Sequence, residues 1–250
     1  MKFKFSDILL FSLLFIFVSA FPVDLFPIEY SYQLLIQISL RLLLLGYYIY
    51  LCFKNHINIF KFYNYKRLLL FIPFLLVSFS NLIASGIAGG YGNPITMDGG
   101  VFSLLIIFHL LVAITEEFLF RLFIQSALVN VGSLKRIFAS AGIFALMHLL
   151  NIVNISSIDG LVTVLIQVIY NFGLGILLGF IYEYSYSLLG CIFLHFTFNF
   201  FNTVLYQYLN CQCDNITFYL TAIIAGVVVG VYTILIYYFV LRRNDRYFKA

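Results

Sequence analysis

Charge is the scarcest commodity in this chain. Asp, Glu, Lys and Arg together make up 10% of its 250 residues, where an ordinary soluble domain carries ~25%. So little charge excludes a solvated globular surface. Tryptophan is absent, and there are four prolines and four cysteines. The cysteines exclude a disulfide scaffold. Cys52 and Cys191 sit inside apolar runs and read as packing residues. Cys211 and Cys213, two positions apart, make a strained disulfide and a poor zinc pair. The net charge of +4 comes from basic residues spread through short loops, so it is topological and no nucleic acid is expected as a partner. No HExxH zinc helix, GxSxG serine elbow or GxGD aspartate motif occurs.

What remains is hydrocarbon. Hydrophobic residues make up 63% of the chain and the mean hydropathy is +1.05, arranged in long runs. Lipid is then the solvent. Only helices or a closed barrel satisfy their own backbone there, and apolar runs near ~20 residues are helical spans. The expected fold is all-α, a polytopic transmembrane helix bundle of about eight spans forming a single integral membrane domain over residues 1–250. The spans read as 6–21, 34–53, 68–88, 101–129, 137–154, 161–182, 188–209 and 216–241. Val18-Ser19-Ala20 resembles a signal-peptide cleavage site, but Phe21-Pro22 follows, and an uncleaved first span is expected.

Orientation follows from the loops. Lys2 and Lys4, then Lys54, Lys61, Lys66 and Arg67, then Lys135 and Arg136, then Arg242, Arg243, Arg246 and Lys249 fall on one side if eight spans alternate. Asp24, Glu29, Asp98, Asp159 and Asp214 fall on the other. The positive-inside rule places both termini in the cytoplasm. Abundant Phe, Ile, Asn and Tyr point to an AT-rich coding sequence and a bacterial cell membrane. Gly175-x-x-x-Gly179 and Gly226-x-x-x-Gly230 predict close helix packing. The glycine-rich stretch from Ser85 to Gly100 reads as a flexible external linker.

Against that background the stretch Thr115-Glu116-Glu117-Phe118-Leu119-Phe120-Arg121 stands out. Three unpaired charges at membrane depth cost on the order of 7–10 kcal/mol on insertion scales. Glu117 and Arg121 are four apart on a helix and can pair. Glu116 points ~100° away from Glu117 and is left as a free carboxylate. Two more spans carry ionisable groups: His148 with Asn151 on one, His195 with Asn199 and Asn202 on another. Glu116, His148 and His195 lie at a shared depth of ~12–20 Å from the cytoplasmic ends of their spans. A desolvated carboxylate suits a general base, and His195 with Asn199 presents donors one turn apart. His109, two turns before Glu116, reads as a packing or gating residue. Arg41, on an otherwise apolar span, either snorkels to the outer interface or pairs inside the bundle.

Glu116-Glu117-x-x-x-Arg121, Phe144-x-x-x-His148 and His195-x-x-x-Asn199, in order on separate spans, resemble the three motifs of the CAAX protease and bacteriocin-processing family of intramembrane proteases. Ser187-Leu188 resembles the usual lead-in to the third. The resemblance covers about 101–202, within a catalytic core of about 101–209. It implies that Glu116 and His148 activate a water, that His195 and Asn199 stabilise the oxyanion, and that Glu117 and Arg121 hold the site in shape. Its implied substrates are membrane-associated peptides or proteins, and its implied bacterial roles are peptide maturation and bacteriocin self-immunity. Glu116, His148 and His195 also suit zinc or another divalent metal with one open position, and a metal-independent glutamate mechanism remains open beside that. Two other classes compete: a non-catalytic immunity or regulatory membrane protein, and a proton-coupled transporter using the buried Glu and His. The residues do not specify an oligomeric state.

Overall fold

Each apolar run becomes a helix, because a backbone in lipid has no other partner for its N–H and C=O groups. The computed structural model describes residues 4–23, 26–57, 69–92, 98–155, 157–211 and 213–241. Helix α1 is Phe5–Ser19 and α2 is Tyr30–Lys54. Helix α3 starts as a 3-10 helix at Ile72–Phe79 and continues as an α-helix at Ser80–Ala88. Helix α4 runs Gly99–Glu117 and passes into a π-helical stretch, Phe118–Gln125. Helix α5 is Ser133–Met147, tightening to a 3-10 helix at His148–Asn154. Helix α6 is Ile158–Ser185. Helix α7 runs Leu188–Asn199, then a π stretch Phe200–Leu205 and a last turn Tyr206–Tyr208. Helix α8 is Asn215–Ile236, ending in a π stretch at Tyr237–Leu241.

Six of these helices are long and apolar enough to cross a membrane; α1 and α3 are shorter. The 15 residues of α1 cover roughly 22 Å at the α-helical rise. Helix α3 reaches further than its residue count suggests. Its eight 3-10 and nine α residues extend to about 30 Å, because the 3-10 rise is ~2.0 Å per residue, and that is the thickness of a hydrocarbon core. The chain is an integral, multi-pass membrane protein. Much of the charge that suggested its orientation (Lys2, Asp24, Lys61, Lys66, Arg67 and the basic residues beyond 241) lies outside the described residues.

The small-residue motifs set two helix contacts. On α6, Gly175 faces Ala141 and Phe144, and Gly179 faces Ile137, so α5 and α6 pack antiparallel. Helices α6 and α8 pack in parallel: Gly226 lies against Tyr170, and Gly230 against Gly173. A Cβ on Gly173 would fall on the Gly226 carbonyl, so backbone meets backbone at that crossing.

Aromatic side chains fix the other half. Phe11 of α1 stacks on Phe123 at 4.2 Å and packs edge-on to Tyr48 of α2 at 4.7 Å. Phe15 meets Phe120 at 5.8 Å. The first two helices therefore clasp the π stretch of α4. Helix starts are capped by short polar side chains: Ser157 accepts from Gly160 N at 3.1 Å, Ser187 from Gly190 N at 2.9 Å and Asp214 from Thr217 N at 2.9 Å. The hydrogen bond from Thr217 also holds the Asp214 carboxyl below the usual carboxylate range.

The glycine-rich connection after α3 is better anchored than a plain linker. Tyr91 pairs with Cys211 in an isolated antiparallel bridge, Gly92 N donates to Asn210 O at 3.1 Å, and the Tyr91 hydroxyl donates to Leu82 O at 2.9 Å. The rest of that connection, 93–97, lies outside the described residues. All four cysteines are free thiols, with Cys52 and Cys191 buried.

Candidate active site

The site is assembled where three helices leave regular α geometry. The π stretch of α4 begins directly after Glu117, the 3-10 stretch of α5 begins at His148, and the π stretch of α7 begins directly after Asn199. Such interruptions free backbone groups and re-aim side chains.

Glu117 is fully buried and both of its oxygens are engaged. Oε2 accepts from Arg121 Nε at 3.0 Å, the i,i+4 pair expected from the spacing. Oε1 lies 2.9 Å from His195 Nδ1, so the ring places its N–H there and turns Nε2 elsewhere. Arg121 continues the chain: Nη1 donates to Ser140 Oγ at 3.1 Å, and the Ser140 hydroxyl donates to Phe120 O at 2.8 Å. Its Nη2 has no partner among the described residues. The result is a fixed line of groups, Ser140–Arg121–Glu117–His195, joining α5, α4 and α7.

Phe144 is the wedge of this arrangement. Its ring lies under the Arg121 guanidinium at 5.5 Å and edge-on to both histidines, 5.1 Å from His148 and 5.7 Å from His195. Its backbone carbonyl also lies 3.0 Å from His148 Nδ1. A carbonyl can only accept, so Nδ1 carries the hydrogen and a neutral His148 keeps its lone pair on Nε2.

Glu116 behaves differently from its neighbour. Its Oε2 is 3.6 Å from His195 Nε2, too long for a hydrogen bond, and it has no other partner among the described residues. It borders a cavity of about 380 Å³ whose lining includes His148, His195 and Asn199. All four residues picked out as catalytic in the sequence therefore share one cavity. His109 and Arg41 line it too.

Two further residues of the polar stripes line the same cavity but are bonded to other helices. Asn151 donates from Nδ2 to Gln167 Oε1 at 2.9 Å. Asn202 clips α7 to α3, its Oδ1 accepting from Ser80 Oγ at 3.2 Å and Asn81 N at 3.0 Å. Sequence spacing left Arg41 undecided between interface and interior. It is buried, and Nη1 donates to Thr115 Oγ1 at 3.4 Å. Only a predicted contact between α2 and α4 would have found it.

A metal fits this conformation poorly. Among the described residues no three His, Cys, Asp or Glu side chains converge at ligand spacing. The 3.6 Å between His195 Nε2 and Glu116 Oε2 is a spacing that two ligands of one ion can have, but no third side chain among the described residues joins them at that spacing.

Residues 98–201 match the family model described as Rce1-like, "Type II CAAX prenyl endopeptidase Rce1-like". This core resembles the CAAX endopeptidases. The match spans α4 to the start of the α7 π stretch and so takes in all three motifs, while α1–α3 and α8 lie outside it. No curated protein and no solved structure gives a match to the chain. The activity class that goes with the Rce1-like resemblance is that of a CAAX-type membrane protease, a hydrolase acting on peptides or proteins in a lipid environment.

Proposed function

We propose that the chain is an intramembrane endopeptidase that hydrolyses a peptide bond in a membrane-associated peptide or protein. The observation that carries this reading is the contrast at the cavity wall: Glu116 Oε2 is buried and uncommitted, while both histidines are fixed through Nδ1 and present Nε2.

Glu116 and His148 hold a water between them. Glu116 accepts a proton from that water as its oxygen attacks the scissile carbonyl carbon. The carbonyl π bond opens to a tetrahedral oxyanion. His195, as the imidazolium, donates from Nε2–H to that oxyanion, and Asn199 donates from its side-chain amide. Glu117 offsets the charge of the ring and Arg121 holds Glu117 in place. The intermediate collapses as the C–N bond breaks, and Glu116 returns its proton to the departing amine. The new carboxylic acid passes its proton to the departing amine, and the products are a C-terminal carboxylate and an ammonium. Glu117 and Arg121 touch no reacting atom, so they are positioning residues.

The eight-span topology with both termini in the cytoplasm, a bacterial plasma membrane, and a role in peptide maturation or bacteriocin self-immunity belong to the same proposal. The experiment is mass-spectrometric detection of cleaved peptides after incubating a membrane-peptide library with purified protein in nanodiscs, wild type against Glu116→Gln. Cleavage by wild type alone is expected. A Glu116→Gln protein that inserts, folds and retains full biological activity overturns the reading. Metal content and activity with and without a chelator, measured on the same preparation, decide the metallo or glutamate type.

A further inference from the structure

Arg41 is a cation of the same cavity that none of the three motifs absorbs. Its side chain is 94% removed from contact with solvent or lipid, at 6% exposure. The polar contact it makes is the 3.4 Å bond to the Thr115 hydroxyl, long and to a neutral group. Its Cζ lies 5.2 Å above the Phe108 ring. Its Nε is buried with no partner among the described residues, and none of their ion pairs includes it. A guanidinium carries five donors in a planar fork matched to a carboxylate. Most of that capacity makes no direct bond: Glu116 acts on Arg41 as a charge across the cavity but forms no ion-pair contact with it, at a depth where an unpaired charge is costly. Glu117 is already committed to Arg121 and His195.

We propose that Arg41 forms an anion subsite of the cavity that binds a carboxylate of the substrate peptide. The proposal rests on the endopeptidase reading and adds a recognition element to it. Arg41 and Glu116 line the same cavity, so a carboxylate held at Arg41 shares it with the water-activating group. The bond that is cut is therefore close in sequence to that carboxylate. In a cavity walled by Phe108, Phe120 and Leu194, a charge-assisted bidentate contact is strong and supplies the direct carboxylate bond that Glu116 does not make. The carboxylate is either the free C-terminus of the peptide or an Asp or Glu side chain within it.

The test uses three matched pools of randomised apolar peptides: with a free C-terminal acid, with a C-terminal amide, and with a C-terminal amide plus one internal Asp or Glu. Wild type, Arg41→Lys and Arg41→Met, each in nanodiscs, are compared by cleavage rate. Wild type is expected to favour one carboxylate form over the neutral amide by about tenfold to a hundredfold in kcat/KM, and the favoured form identifies the source of the anion. Arg41→Lys keeps part of that ratio and Arg41→Met erases it. Damage transmitted to Glu116 lowers all three pools alike, so the ratio isolates recognition. Arg41→Met should be at least as heat-stable as wild type, because it removes a buried charge that has no ion-pair partner; a purely structural arginine would give a loss. Equal treatment of the three pools by wild type, or discrimination surviving in Arg41→Met, overturns the proposal. If wild type cleaves no pool, it is the hydrolytic reading that fails. Equilibrium binding of acid and amide peptides to wild type and Arg41→Met then decides the subsite, equal affinities counting against it.

Discussion

Glu116 and Glu117 are neighbours in the chain and opposites in the structure. Glu117 is fully buried, with one oxygen on Arg121 and the other on His195. Glu116 retains 12% side-chain exposure and keeps Oε2 without a partner. A helix turns ~100° per residue, which is enough to put one carboxylate in the wall between helices and the next in the cavity. The wall side spends its polar groups on one another and holds α4, α5 and α7 together. The cavity side leaves Glu116 and Arg41 unspent. Stability and reactivity are thus divided between two adjacent side chains, the usual trade between a satisfied scaffold and a strained, useful site.

The division can be broken from either side. Glu116→Gln should give the largest effect on function, a loss of about 10²- to 10⁴-fold in peptide cleavage with an unchanged Tm. Glu117→Gln should do the reverse first, lowering stability by about 3–5 kcal/mol because Arg121 is left buried without its ion partner. The double variant Glu117→Gln/Arg121→Met is expected to recover much of that stability in a thermal-shift assay. It should recover little activity, since His195 still lacks its anchor. Gly226→Ala places a Cβ against Tyr170 of α6 at the edge of the cavity and should cost about 1–3 kcal/mol by overpacking, read as a lowered Tm. Ser187→Ala removes the cap that accepts from Gly190 N and is worth ~1 kcal/mol, the smallest change, read by the same Tm measurement. Should Ser187→Ala, outside the cavity, alter the cleavage rate as strongly as Glu116→Gln, wall and cavity are not separable.

Much of this was legible in the chain. Each of the eight apolar runs contains a helix, because lipid leaves the backbone no alternative. The Glu117–Arg121 pair followed from spacing alone, as did the close approach at Gly226 and Gly230. The rest depended on how helices meet. Glu117 shares its second oxygen with His195 across 78 positions of chain, and helical periodicity holds no information about that. Arg41 could have faced either the interface or the interior, and its contact with Thr115 decides between them. Asn151 keeps the His148 face, since residues three apart eclipse in the 3-10 stretch, and both line the cavity, but its amide is taken by Gln167 of α6, a partner that spacing does not reveal. The loop before α4 looked like a free linker because glycine content says nothing about the bridge from Tyr91 to Cys211.

The π stretch of α4 has a consequence for how this chain tolerates insertion and deletion. A wider turn accommodates a residue that an α-helix would have to expel or rotate past. Removing one residue from Phe118–Phe120 would barely alter the hydropathy of the span and would close the wide turn to α geometry, so the helix beyond keeps its faces while Arg121 comes three rather than four positions after Glu117. The same deletion between Val101 and Ile114 has no wide turn to absorb it: it turns the two sides of the cut by ~100° against each other, and the helix then keeps either its Phe102–Tyr208 contact or its Glu117–His195 bond, not both. A hydropathy profile would score the shortened chain as the same membrane protein, while the frame in which its charges meet would be gone.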